Sequence, residues 1–270
     1  MDFAVIGLIE DEDILLDLAS LALSHLDHER TDLGPYLALL QEMEDRICQE
    51  GRSAFLPQER AAVLARVLNG EFGFVGDTES YDAPVNADFI RVLDRRRGLP
   101  IALSILYVAM ARGAGWSAYV LNLPGNVLVQ IGDESPVVID PFAGGGEVSA
   151  QSIAAICEAC IGQAGDASTL SLVRMSNREV LARLLNNQAL RAENGRDLQR
   201  ALTVYQRIAR IAPEGLDGWH NLARMQLAFN DIPGARASLF AMSEIVGDKE
   251  TRERIMDAFE GLDPTRPVSP

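Results

Sequence analysis

The stretch from Asp94 to Gly145 constrains this chain most. After the basic turn DRRRG, Pro100 opens an apolar run in which Ile101 to Ala111 carries no charged side chain. Proline suits a first helical turn, because the N–H it lacks has no partner there anyway. A helix that is apolar all round has to be buried all round. The spacing therefore predicts a central helix ended by Gly113 and Gly115. Tyr119–Leu123, Asn126–Ile131 and Pro136–Ile139 read as short strands, with a hairpin signal, GDES, between the last two. The expected core is α+β: one buried helix against a small antiparallel sheet.

Around this core the chain is predominantly helical. Residues 10–68 place apolar side chains at helical spacing in ILLDLASLAL, YLALLQEMEDRI and ERAAVLARVL, with Pro35 and Pro57 at helix starts. Asn69–Ala87 is a Gly- and Asp-rich connection, long for a loop without structure. Phe72, Phe74 and Tyr81 are expected to pack it. From Asn177 to Val246 the pattern is purely helical and repeats at 34 residues: Asn187 matches Asn221, Ala189 matches Ala223, and Ala201 matches Ala235. Small residues where paired helices touch, with Trp219-x2-Leu222-Ala223 and a closing Pro213, fit a tetratricopeptide pattern. Two such units are too few to stand alone as a solenoid. They are expected to lean on the core or on further helices such as Lys249–Glu260. The predicted organisation is a first domain over 1–165, with a helical part at 1–68 and the core at 86–145. A repeat module follows at 177–250, and a disordered tail at 261–270.

Charge narrows the possible partners. The formal net charge is −15, and residues 1–50 hold thirteen Asp and Glu against Arg30 and Arg46, a net of −11. Nothing there offsets phosphate repulsion, so no nucleic-acid partner is expected, nor an anionic membrane surface. The acid reads as a solvated face, as a surface for a basic partner, or as a counterpart to Arg91, Arg95, Arg96 and Arg97. The apolar stretch at 3–9 is followed by four acidic residues, unlike a signal peptide. Gly98–Ala111 is too short to span a bilayer, which takes about 20 residues. Three cysteines, one necessarily unpaired within the chain, fit a reducing cytoplasm. Cys157 and Cys160 form a CxxC inside a helical pattern with no second ligand pair, so they are expected to pack and not to bind zinc. Cys48 sits among acids that hold a thiol protonated. His25 and His28 share a helix face without further ligands, so no metal and no cofactor is expected.

The string FGFVGDTESYDAPVNADFIRVLDRRRGLPIALSILYVAMARGAGW resembles the bacterial SirB family, and the likeness runs over about residues 12–250. GFVGD, the Tyr81–Asn86 stretch, RRRGLPI, LPG and DPF look like that family's signature segments. The resemblance implies a transglutaminase-like, papain-like core joined to C-terminal tetratricopeptide repeats. It also places the superfamily's nucleophilic Cys at Pro100, its general-base His at Asn126 and its orienting Asp at Asp140. SirB-type proteins lack the Cys but commonly read PGHF where this chain reads Pro124-Gly125-Asn126-Val127. Proline offers no nucleophile, and an asparagine amide takes no proton near neutral pH. The chain is therefore expected to be a non-catalytic protein that acts by binding a protein or peptide partner. The alternative is a hydrolase or acyltransferase of cysteine-protease-like fold with a rearranged site.

Other side chains bear on that choice. Ser104, one turn beyond Pro100 on the same helix face, reads as a buried hydroxyl bonded to the Pro100 carbonyl, or as a substitute nucleophile with no nearby base. Asp140 reads as a strand-end carboxylate held by backbone N–H groups or an arginine, or as a ligand contact in a relict cleft with Asn126 and Ser104. The Arg95–Arg97 run is expected to hold the acidic N-terminal helices, or to bind an acidic ligand. In the repeats, Asn187 and Asn221 either brace their helices or bond the backbone of an extended peptide. Arg183, Arg191 and Arg224 would then select for acidic ligands.

Overall fold

The uncharged run after Pro100 does form a helix, and Ile101 to Val108 are each no more than 1% exposed. The computed structural model describes residues 3–123, 126–164 and 173–262. The chain divides into two units, Met1–Leu184 and Leu185–Pro270.

In the first unit, α1 (Phe3–Ile6), α2 (Leu16–His25), α3 (Gly34–Glu50) and α4 (Pro57–Leu64) come first, α4 continuing as a π-helical turn over Ala65–Glu71. Proline sits in the first turn of α3 and of α4. Glu59 reaches back to accept the N–H groups of Phe55 and Leu56, at 2.8 and 2.9 Å, satisfying donors that α4 itself leaves open. Those bonds hold its carboxyl below the usual range. Then follow β1 (Val75–Gly76), α5 (Phe89–Arg95), β2 (Arg97–Gly98) and α6 (Pro100–Gly113). Arg96 turns the chain between α5 and β2 in a left-handed conformation, φ 56°.

The sheet comprises β3 (Ala118–Leu123), β4 (Asn126–Ile131), β5 (Val137–Asp140), β6 (Gly146–Glu147) and β7 (Val173–Arg174), in the order β6-β5-β4-β3-β7 and antiparallel throughout. Val129 lies opposite both Val120 and Ile139. Alternation gives the sheet two apolar faces. On one, Leu121, Leu123, Leu128 and Val138 meet Val148 and, from α7 (Ala150–Ala164), Ile153 and Ile156. The other carries Val120, Val129, Ile131, Val137 and Ile139, all buried. α6 packs on β3 and β4, and α2, α3 and α4 pack in turn on α6. A helix surrounded by sheet and helices has no solvated side over its length, which is why Ile101 to Ala111 carry no charge and Arg112 comes only in the last turn.

α8 (Asn177–Asn194) begins in the first unit and runs into the second. There, α9 (Leu198–Ile211), α10 (Leu216–Ala228), α11 (Ile232–Ile245) and α12 (Lys249–Gly261) follow, with α9 on α10, α10 on α11 and α11 on α12. The period seen in the sequence recurs in the backbone. α9 and α11 begin at 198 and 232 and end at 211 and 245, an offset of 34 at both ends. Arg196 and Asn230, also 34 apart, both adopt φ near +60°, at 61° and 58°. Asp197 and Asp231 then cap the next helix by accepting the N–H three residues on. Ala189, Ala201, Ala223 and Ala235 are all buried. No helix among the described residues is long and apolar enough to cross a membrane. Residues from 263 on, Pro124 and Gly125 lie outside the described residues, as do the side chains of Cys157 and Cys160, which are expected to pack.

Candidate functional site

Three segments distant in sequence meet at one end of the core. Pro100 stands at the first position of α6, half-buried. Just before it, β2 pairs in parallel with β1, Gly98 opposite Gly76. Gly76 then donates its N–H to the carbonyl of Phe142 at 3.0 Å, which carries the connection to the end of β5. A Cβ on Gly76 would stand 2.5 Å from the Phe142 ring, so only glycine fits there. Tyr81 closes over the same ring edge-on, centroids 5.8 Å apart. The loop Asn69–Ala87 is thus a structured lining for the N-terminus of α6. Phe74 is wholly buried beneath the Arg96 guanidinium, 4.9 Å from the ring centroid.

Asp140 and Asn126 arrive at this end on neighbouring strands. Continuing the β4–β5 register, Asp140 falls opposite Leu128, two residues from Asn126, so the two share a sheet face. Asn126 is exposed and Asp140 half-buried. One Asp140 oxygen accepts the N–H groups of Phe142 and Ala143, at 2.9 and 3.3 Å. It serves the turn after β5, the backbone-held role that was one reading of its sequence position.

Ser104 and Tyr107 bring buried hydroxyls to the same helix. Both are fully buried, and neither has a hydrogen-bond partner among the described residues. The expected bond from Ser104 to the Pro100 carbonyl is therefore not made. Tyr107 reaches toward the left-handed Gly145, whose N–H bonds the Asp140 carbonyl at 2.7 Å. Burial, and next the Asp140 charge, push the Tyr107 hydroxyl far above its ordinary pKa. A hydroxyl held protonated in this way is neither a base nor an activated nucleophile. Tyr107 went unnoticed in the sequence because it completes an apolar run, although its position three after Ser104 puts both on one helix face.

Among the described residues the arginine run makes no ion pair with the acidic N-terminal helices. Arg95 bonds the buried Asp77 at 2.7 Å and the Asn86 side chain at 2.6 Å, and Arg97 pairs with Glu79 at 3.2 Å. Arg91 stays with Asp94 of its own helix. The acids held by Arg95 and Arg97 come from the Gly- and Asp-rich loop, which is brought near because β1 pairs with β2. The Arg95 bond, then the Ser80 N–H, hold the Asp77 carboxyl below the usual range. N-terminal acid has a different use. Asp11 accepts the N–H groups of Asn177 and Arg178, at 2.8 and 2.9 Å, and so caps α8 from 166 residues away. No local pattern announces that bond. His28 lies 2.5 Å from Asp88, which also caps α5. Cys48 is exposed, and its thiol is raised first by burial, then by Glu44 and Asp45.

The candidate groove residues divide between the units. Arg183 bonds Asn122 of β3, and burial lowers its pKa. In the second unit, the Asn187 side-chain oxygen accepts from Arg191 at 3.0 Å, and that of Asn221 from Arg224 at 3.3 Å. Arg224 forks onto Glu193 at 2.8 and 2.7 Å, and Tyr205 donates to the same carboxylate at 2.6 Å. The Arg224 bond, above all, holds Glu193 below the ordinary range, while burial and then Glu193 raise the Tyr205 hydroxyl.

The family model of the transglutaminase-like superfamily matches residues 35–186. A UPF0162 protein of Xylella fastidiosa (strain Temecula1) is 26% identical over 235 residues, covering 83% of this chain and 84% of that protein. The F-box only protein 21 of Mus musculus is 30% identical over 130 residues, 45% of this chain and 20% of that one. Among solved structures, a crystal structure of menin aligns with 93% of this chain and 71% of its own at 12% identity, with a TM-score of 0.40.

Proposed function

We propose that this chain, which belongs to the transglutaminase-like superfamily, acts by binding a protein or peptide and not by catalysis. The observation that carries the reading is the make-up of the core end. By the superfamily resemblance Pro100, at the start of α6, takes the place of the nucleophile and Asn126, at the start of β4, that of the base, while one Asp140 oxygen is held by backbone N–H groups. Acyl transfer needs a group that attacks and a group that takes its proton. Neither chemistry is available from proline and an amide. Ser104 does not substitute, being buried without a basic partner.

The binding half of the proposal rests on the second unit, read as two tetratricopeptide-like units in a SirB-type arrangement. Its support is the 34-residue offset of helix ends, left-handed turn residues and Asp caps. Asn187 and Asn221 sit at equivalent positions, each holding an arginine of its own helix. A peptide backbone docking there exchanges those bonds for its own amide contacts. With Arg224 already bound to Glu193, charge selectivity for acidic ligands is modest. The test is an array of extended peptides with acidic sequences and unblocked carboxyl termini, the strongest measured again by fluorescence anisotropy. Asn187→Ala with Asn221→Ala is expected to weaken that peptide about tenfold. Undiminished binding removes this face as the site.

A further inference from the structure

A second recognition feature lies in the first unit, remote in sequence from the repeats. A cavity of about 520 Å3 opens between the start of α2, the middle of α3 and the end of α6. That volume falls in the range of ligand pockets. Its apolar lining includes Leu16, Leu18 and Leu40, and continues to the surface through Leu15 and Leu37, which are 56% and 45% exposed. Glu12, Asp17 and Glu44 add carboxylates to this lining. None of the three has an ion-pair partner among the described residues. The cation present, Arg112, is spent on the Ala118 carbonyl and the Asn177 side chain, at 3.0 and 2.8 Å.

We propose that this cavity docks a basic amphipathic segment of a partner protein. An apolar side chain enters between α2 and α3, and a neighbouring Lys or Arg is held by Asp17 and Glu44. Charge complementarity selects this occupant: the lining carries three carboxylates against Arg112, and all but its three α6 residues belong to the first fifty, where thirteen acids face two arginines, a net of −11. The stem of a Lys or Arg is apolar and its head charged, which matches a leucine lining with carboxylates set into it. Burial raises the Asp17 carboxyl above its ordinary pKa, as an unpaired acid facing leucines requires. A bound cation relieves that cost.

The probe is a short fluorescein-labelled peptide of Lys and Leu in helical spacing, followed by anisotropy on the whole chain in physiological salt. Saturable binding is expected, weakened about tenfold by Asp17→Asn and about as much by Leu37→Ser. Both changes are conservative in shape or lie at an exposed position, and circular dichroism confirms the fold of each. Asn187→Ala with Asn221→Ala is expected to leave this binding unchanged, which separates it from the repeat face. The proposal is overturned by absence of binding, by indifference to Leu37→Ser (charge attraction alone), or by transfer of the effect to the Asn187 and Asn221 pair. Displacement of the peptide by equal concentrations of spermine overturns it too, in favour of a small-cation site.

Discussion

Polar side chains hold each unit together internally, and they do so differently in the two. In the first unit several span the sequence: Asp11 caps α8 at 166 residues' distance, Ser24 and His28 meet Asp88 at 64 and 60, and Arg112 reaches Asn177 at 65. In the second they stay near: Tyr205 to Glu193 spans 12 residues, Ser238 to Gln226 spans 12, and Arg224 to Glu193 spans 31, less than one 34-residue period. The first pattern belongs to a fold whose segments are useless apart. The second belongs to a stack of helices in which each element depends on its neighbours. A perturbation in the first unit is therefore expected to spread, and one in the second to stay local.

The strongest way to break that contrast is at the junction of three segments. Gly76→Val drives a side chain into the Phe142 ring and separates β1 from the end of β5; a loss of about 3 kcal/mol in urea unfolding is expected. A loss below about 0.5 kcal/mol would mean that the junction is slack. Next, Asp11→Ala removes the cap of α8 and is expected to cost about 1–2 kcal/mol. Hydrogen exchange should then rise both at the start of α8 and around α1, although the two are far apart in sequence.

Glu193→Gln is the matching change in the second unit, at a pair partly open to solvent, so about 0.5–1 kcal/mol is expected. Faster exchange should be confined to α8, α9 and α10. The pH dependence has a definite sign. The folded-state pKa of Glu193 lies below its unfolded value, so its contribution is fully present above the unfolded pKa, about 4.3. It is lost as pH falls through the lower folded value. Between pH 5 and strongly acid conditions the wild type should lose a stability increment that Glu193→Gln never had. Smallest of all, Ser104→Ala deletes a buried hydroxyl without a partner. It is expected to be neutral or to stabilise by less than about 1 kcal/mol. A loss above that would reveal a bond through water.

Much of the architecture was legible in the residues. Pro100 and the charge-free run marked the central helix, and β3, β4 and β5 fell within a residue of the expected strands, because short apolar runs between turn signals are local; the two-residue strands β1, β2, β6 and β7 were not anticipated. The 34-residue period was legible from small residues: Ala189, Ala201, Ala223 and Ala235, matched in the sequence, are all buried, while the Asp197 and Asp231 caps that repeat with them were not singled out. What stayed hidden were partners chosen by the fold. Arg95 and Arg97 take acids from the loop and not from the N-terminal helices, since parallel pairing of β1 with β2 decides which acid is near. Asp11 looked like one solvated acid among many. Ser104 was placed correctly as buried, yet its bond to Pro100 did not form.

The claim that the core end is without catalytic chemistry rests on the nature of Pro100 and Asn126, so it is most directly tested by turnover. Purified protein should be incubated with amide, ester and thioester acyl donors, with water and amines as acceptors, and compared with Asp140→Ala. The account predicts product formation at the rate of the buffer control for both proteins. Turnover above that rate in the wild type, abolished by Asp140→Ala in a variant that keeps its fold, would contradict it.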